Sequence, residues 1–324
     1  MAGDVLAYSG GGAVLSGDCH VVPPRNDRSL RNDGGVGRYD CAMTSKRRPV
    51  TYTTDAVVVR SSNLGEADRI ITLVTPLHGL IRGVAKAARK PGSKLGGHLD
   101  LLRLVSVSVR ETRTLHGFSQ VSTIDGFRGL RDDLDRFSLA SYISEMAEKF
   151  SVENGTNQPL FRLLTDGLGA LEKTENPEMV IHFFEMRLLQ LSGFAPELSR
   201  CVETGVELEP ANHLYSAERG GLVNSESRPV GESALLPASL NTIKLLRFLS
   251  RTDVNQAEHM KAGEDEARQI SRILRAQIHH VLDRGLRSEA FMDEVRARPG
   301  HANGNGNGSR DSQSSSRSER SSSS

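Results

Sequence analysis

The hydrophobic pattern of this chain changes period once, near Gly129, and the two sides of that point predict different kinds of structure. Before it, apolar and polar residues alternate in short runs. YTTDAVVVRSS is rich in Thr and Val; ADRIITLVTP follows an Asn63-Leu64-Gly65 turn, and GLIRGVAKAA follows a Pro76-Leu77-His78-Gly79 turn. These runs predict three strands of a meander. ARKPGSKLGGHLD, with Pro91, Gly92, Gly96 and Gly97, cannot continue a ladder. LLRLVSVSVRET then alternates through Leu102, Leu104/Val105, Val107 and Val109 as a fourth strand, and FSQVSTIDGF follows the turn at Thr114 to Gly117 as a fifth. Five short antiparallel strands with one interrupting loop predict a small barrel, with the five-stranded OB-fold as leading candidate.

Beyond Gly129 the spacing is helical. Leu139, Ile143, Met146 and Phe150 share one face of a helix, a pattern that marks core packing. PLFRLLTDGLGALEK predicts a second helix, weakened by Gly167 and Gly169. A third is bounded at both ends: Asn176 can cap it, Pro177 suits its first turn and Gly193 ends it. Its middle, MVIHFFEMRLLQL, is apolar nearly all round and belongs at the centre of the helical half. Residues 194–236 read as loop. SLNTIKLLRFLS and DEARQISRILRAQIHHVLDR predict two more helices, the latter with Ile270, Leu274, Gln277 and Val281 on one side. The expected fold class is α+β: an N-terminal five-stranded OB-fold β-barrel at 49–127 followed by an α-helical domain at 128–297.

The ends lack this patterning. Residues 1–48, rich in Gly, Asp, Arg and Pro, predict an irregular or disordered extension, with Met43 as an alternative start; 298–324, rich in Gly, Asn and Ser, predict a disordered tail. The opening residues carry Asp4, lack a basic leader and are broken by glycines, so they make a poor signal peptide. No run approaches the length of a membrane span, and Cys19, Cys41 and Cys201 are too scattered for a disulfide framework. These features predict a soluble, intracellular protein.

A net charge of +1 conceals segregation. Lys46 to Gln120 holds thirteen Lys/Arg against five Asp/Glu, whereas Val121 to Arg200 holds eight against thirteen. A basic barrel half calls for a polyanion or is a solvated face, and charge alone does not separate the two. The sharper signal is local: Arg82, Lys86, Arg89, Lys90 and Lys94 occur with no acid between Gly79 and His98. Alternation sets Arg82 and Val84 opposite Ile81, Gly83 and Ala85, and places the lysines on a flexible loop rich in Gly and Pro. Arg60, Arg69, Arg103, Arg110 and Arg113 on neighbouring strands extend the patch. Such a surface holds phosphates without reading bases, and it does not distinguish DNA from RNA. An OB-fold RNA-binding or translation-associated module is therefore an alternative. Tyr52 and Phe118, the obvious stacking candidates, read better as packing residues.

Catalytic and metal signals are weak. Glu66 and Asp68 can be an acid/base pair, but a charged turn partnered by Arg69 accounts for them more simply. Adjacent His279 and His280 point about 100° apart on a helix and lack ligand spacing. The clusters at Gly10 to Gly12 and Gly34 to Gly37 lack the Lys-Ser/Thr ending of a phosphate loop. No nucleophile, base and orienter are pushed together, so neither enzyme chemistry nor a cofactor is expected.

The run from Asp55 to Val109 contains the Leu64-Gly65-Glu66-Ala67-Asp68-Arg69 turn, the Thr75-Pro76-Leu77-His78-Gly79 turn and Gly83-Val84-Ala85-Lys86-Ala87-Ala88-Arg89-Lys90, in that order. It resembles the N-terminal barrel of the RecO family of bacterial recombination mediators, with a weaker likeness to Val295. The resemblance implies single- and double-stranded DNA binding, strand annealing and recombinase loading on strands coated by single-strand-binding protein. RecR and the C-terminal tail of that coating protein are the implied partners, with no membrane, a cytoplasmic nucleoid-associated location and no turnover. Many members carry a four-cysteine zinc module; at about 198–230 this chain keeps Cys201 but has Thr204, Asn224 and Ser227 at the other ligand positions. No bound metal is expected.

Overall fold

The computed structural model describes residues 50–153, 155–226, 234–283 and 285–298. The expectations placed on Met43, Cys19, Cys41, Ser227 and the two tails lie outside the described residues.

The alternating runs form β1 (Thr51–Leu64), β2 (Asp68–Thr75), β3 (Gly79–Ala85), β4 (Leu104–Arg110) and β5 (His116–Asp125). They close in the order β1-β2-β3-β5-β4, with β1 pairing antiparallel to both β2 and β4. The β3–β5 pair alone among these is parallel. This is the expected OB-fold barrel, except that the strands are not all antiparallel, since closing the barrel sets β5 beside β3 in the same direction. Ala56, Val58, Ile71, Leu73, Ile81, Val105, Val107 and Val109 fill its interior. Gly83 lets the Phe118 ring lie against β3: a Cβ there would sit 2.5 Å from the ring, so Phe118 is a packing residue.

The continuous apolar run in β1 has a reason beyond strand propensity. Ala56 and Val58 point into the barrel, while Val57 and Val59 join Val74, Leu80 and Leu102 in the core of the helical half. Alternation along one strand thereby feeds two cores.

After the barrel come α1 (Arg128–Asp132), α2 (Leu134–Phe150), α3 (Gln158–Lys173), α4 (Pro177–Leu191), α5 (Leu240–Leu249), α6 (Val254–Glu258), α7 (Glu264–Leu282) and α8 (Arg287–Arg296). Helix α2 buries Leu139, Ile143 and Met146, as its spacing predicts, and Asp133 caps it by accepting from the N–H groups of Asp135 and Arg136. Helix α4 packs against α2, α3, α5, α6 and α7, which accounts for its apolar circumference. Its buried Glu185 accepts from Tyr142 Oη at 2.7 Å and lies 3.0 Å from His182 Nδ1. Burial first, then Glu185, pushes the Tyr142 hydroxyl well above the usual phenol range. Gly167 sits where α3 packs closely on its neighbours: a Cβ there would meet Phe184 at 3.1 Å and Ile143 at 3.3 Å.

Three expectations need correction. The Asn176 side chain does not cap α4; it donates to the Met260 carbonyl across the bundle. Residues 194–236 are not all loop, since β6 (His213–Ser216) pairs with both β7 (Gly221–Val223) and β8 (Leu236–Ala238). These strands are only three or four residues long, too short for a two-residue period to show. Helices α1, α6 and α8 were also unmarked by the hydrophobic pattern, the first two because five residues hold barely more than one turn.

The β2–β3 turn is tied to the segment after α2. Leu80 N–H donates to the Val152 carbonyl, Asn157 N–H donates to the Pro76 carbonyl, and Gly79 adopts φ +60°. A Cβ on Gly79 would lie 2.1 Å from the Val152 oxygen, whereas one on Gly65 (φ +57°) would meet nothing within 4 Å. Gly65→Ala should therefore cost about 1–2 kcal/mol, the left-handed penalty alone, and Gly79→Ala about 3 kcal/mol or more in urea unfolding. Equal costs would remove the tie as a stability determinant.

Helix α8 docks through Ser288, whose N–H and hydroxyl both donate to Glu145 Oε2 at 2.7 Å. Burial raises the Glu145 carboxyl, but hydrogen bonds from Ser288 and the Arg287 backbone outweigh it and hold the group below its ordinary range. A depressed carboxylate contributes stability above its unfolded value and loses it as pH falls through the folded one. Ser288→Ala should cost about 1 kcal/mol at neutral pH, with the difference from wild type shrinking in acid; denaturant titrations at several pH values check this.

Candidate nucleic-acid interface

The basic loop after β3 is more ordered than its Gly and Pro content suggests. Ala87, at φ +56°, donates its N–H to Asp68 Oδ1 at 2.7 Å. Arg89 donates its N–H to the Ala67 carbonyl at 2.9 Å and its Nη1 to the Gly65 carbonyl at 3.0 Å. The loop is thus fastened to the β1–β2 turn. Ala88 and Leu99 plug the barrel interior, and Gly96 passes so close to the Ala88 carbonyl that a Cβ would sit 2.3 Å away. What projects outward is Lys86, Arg89, Lys90 and Lys94, all exposed. The expectation of a flexible loop gives way to an anchored rim of cations, because the backbone is held on both sides by hydrogen bonds and buried apolar residues.

The remaining sequence-nominated cations divide by their partners. Arg60 and Arg82 lie across the ladder from the same Thr72 and share one buried carboxylate, Glu148 of α2, at 2.9 and 3.6 Å. Arg69 and Arg103 converge on Asp100, together with Arg131 of α1, at 3.2, 3.7 and 3.8 Å. Arg110 lies over Gly117 at the β4 end and is exposed, as is Arg113. Among the described residues, Lys86, Arg89, Lys90, Lys94, Arg110 and Arg113 take part in no ion pair.

Sequence reasoning missed Asp100, Arg131 and Glu148, which set the charge balance of the arginines. The available hint was the rarity of acids in the basic half, which left Asp100 conspicuous. Arg69 pairs with Asp100 rather than with its own turn, where Asp68 instead holds the Ala87 backbone. Glu66 is exposed and Asp68 is engaged by the Ala87 N–H, so the charged-turn reading accounts for the two acids. Tyr52 stacks on His78 with centroids 4.0 Å apart. His279 Nε2 lies 2.7 Å from Glu289 of α8, while His280 is exposed.

The Cys201 corner brings together three positions of the implied zinc module. Cys201 Sγ accepts from Asn224 N–H at 3.4 Å. Burial raises the thiol, but hydrogen bonds from Asn224, Thr204 and Glu203 bring it below its ordinary value. One thiol with a hydroxyl and backbone N–H donors does not fit zinc, which takes about four anionic or imidazole ligands. Among the described residues, no three His, Cys, Asp or Glu side chains gather to hold a metal, and no helix is long and apolar enough to cross a membrane.

Comparison with known proteins follows the same division. Residues 50–127 match the family model described as recombination protein O N terminal, and 131–290 match recombination protein O C terminal. A protein named DNA repair protein RecO from Dehalococcoides mccartyi is 34% identical over 251 residues, covering 77% of this chain and 98% of the relative. The proteins of that name from a Roseiflexus species and from Desulforamulus reducens are 34% and 31% identical, covering 77% and 75% of this chain and 87% and 94% of their own.

The division of cations gives a stability test. Arg60→Gln leaves buried Glu148 with only the longer contact to Arg82 and should cost about 2 kcal/mol, a value reduced for the exposure of Arg60. Lys90→Gln and Lys94→Gln should stay within about 0.5 kcal/mol of wild type in the same denaturant titration. Equal losses would mean that the loop lysines are structural.

Proposed function

The chain belongs to the recombination protein O family, and from that premise we propose that it is a non-enzymatic DNA repair and recombination mediator. In this reading it binds single- and double-stranded DNA through phosphates, anneals complementary strands and assists recombinase loading on strands coated by single-strand-binding protein. RecR and the C-terminal tail of the coating protein are its proposed partners, and no metal or cofactor is needed.

The observation that carries the reading is the anchored rim: exposed Lys86, Arg89, Lys90 and Lys94 on a loop without an acid, fastened to the end of an OB-fold barrel. Lysine is a compact, hydrated point charge that suits phosphates met in varied geometries. Displacing counterions there provides affinity without base readout, and neutralising two strands at once lowers their repulsion while leaving their bases free to pair. Arg110 extends the rim across the β3, β5 and β4 ends. Arg60, Arg69, Arg82 and Arg103 add a weaker field, since Glu148 and Asp100 share their charge.

Reversing Lys86, Lys90 and Lys94 to Glu should weaken single-strand binding at least tenfold at moderate salt and flatten the log K against log salt slope by about 2, at about 0.7 per phosphate. Annealing of strands coated with single-strand-binding protein should fall in parallel, and DNA and RNA oligonucleotides compared in competition decide the polyanion. Unchanged affinity and slope would refute the rim, and preference for RNA would favour a translation-associated module.

A further inference from the structure

We propose that Arg69, Arg103 and Arg131 form a phosphate-binding site at the junction of barrel and helices, in which Asp100 is a resident acid that competes with the phosphate. That the phosphate belongs to a nucleic-acid strand rests on the function proposed above; the site itself does not.

The three guanidinium groups come from the start of β2, the segment before β4 and α1. Only Arg69 hydrogen-bonds Asp100, at 3.2 Å. Arg103 and Arg131 approach its other oxygen at 3.7 and 3.8 Å, beyond a good hydrogen bond. One carboxylate therefore faces three cations, which leaves an excess of two positive charges. Arg131 also donates to the Leu101 carbonyl, but the Arg103 side chain donates to no acceptor among the described residues. The Nε atoms of Arg103 and Arg131 are buried without acceptors. The donors an oxyanion would meet are the Nη groups of Arg103 and Arg131, which face Asp100 from beyond hydrogen-bond distance, and donors set around an undersized negative charge mark a place where an oxyanion gains. The planar fork of arginine matches phosphate oxygens. Burial and the nearby Arg103 both push Arg131 below the usual guanidinium range, as expected for cations held together with too little counter-charge.

The backbone around the cluster is also unusual. Leu102, beside Arg103, and Phe127, which begins α1, both adopt left-handed conformations, at φ +64° and +40°. Both are buried, in the shared core. Such bulky residues hold that conformation only where their surroundings over-determine it, and they concentrate at ligand sites. The Asp100 and arginine side chains remain 26–36% exposed, so an anion reaches them without unfolding.

The full chain tests this in two ways. Millimolar inorganic phosphate, compared with chloride at equal ionic strength, should raise the melting temperature of the wild type by a few degrees; Arg131→Gln should abolish the gain. An equal gain in both proteins overturns the site, whatever becomes of DNA binding. In single-strand titrations Asp100→Asn should bind about threefold to tenfold more tightly with a steeper salt slope, and Arg131→Gln more weakly with a slope shallower by about 0.7. Phosphate stabilisation lost in Arg131→Gln while strand affinity is unchanged in both variants overturns the strand as source and leaves free phosphate as ligand. If Asp100→Asn does not fold, Arg103→Gln takes its place and should behave as Arg131→Gln; unchanged strand affinity and phosphate response overturn the proposal.

Discussion

The architecture depends on β1 being buried on both faces. A strand in a small barrel ordinarily shows one face to water, but Val57 and Val59 cannot, because α2 and its neighbours close over them while Ala56 and Val58 fill the barrel. A one-residue slip of β1 would still present apolar residues to both sides, so hydrophobicity alone sets its register weakly. Polar contacts supply the rest. Arg60, next along the strand, meets Glu148 of α2, and the β2–β3 turn is hydrogen-bonded to residues after α2. The barrel and helices hence share a core, and surface that would be free on an isolated barrel is used to join them.

That junction reorganises the electrostatics. Arginine serves where one carboxylate must be held by several strands or by strand and helix, since its fork can engage a fixed acceptor from more than one direction. Glu148 collects Arg60 and Arg82; Asp100 collects Arg69, Arg103 and Arg131. The lysines stand apart on the anchored rim. The segregation of charge along the sequence thus resolves into joining cations and outward-facing cations, which the pattern of residue types does not separate.

The helical half was legible where a helix is long and its stripe continuous. Helix α2 and the fully surrounded α4 follow from spacing and hydrophobicity because many local choices agree over four turns or more. Asn176 looked like a cap but spends its amide on Met260, a partner 84 residues away. The sheet of β6, β7 and β8 was hidden because its strands are only three or four residues long. At Cys201 the donors around the thiol become visible only when Asn224 and Thr204 fold back on it.

The sequence by itself determined the two periods, the five barrel strands, the main helices and an acid-free basic loop. These are properties of neighbouring residues, and covalent geometry converts them into one-sided or two-sided faces. Only the tertiary structure decided which charges remain available and what holds the loop. Arg60 and Glu148 are 88 residues apart and Arg69 and Asp100 are 31 apart, and no local pattern links them. Charge adds up along a chain, but a cation's availability depends on burial and on the partner that folding brings within a few ångströms.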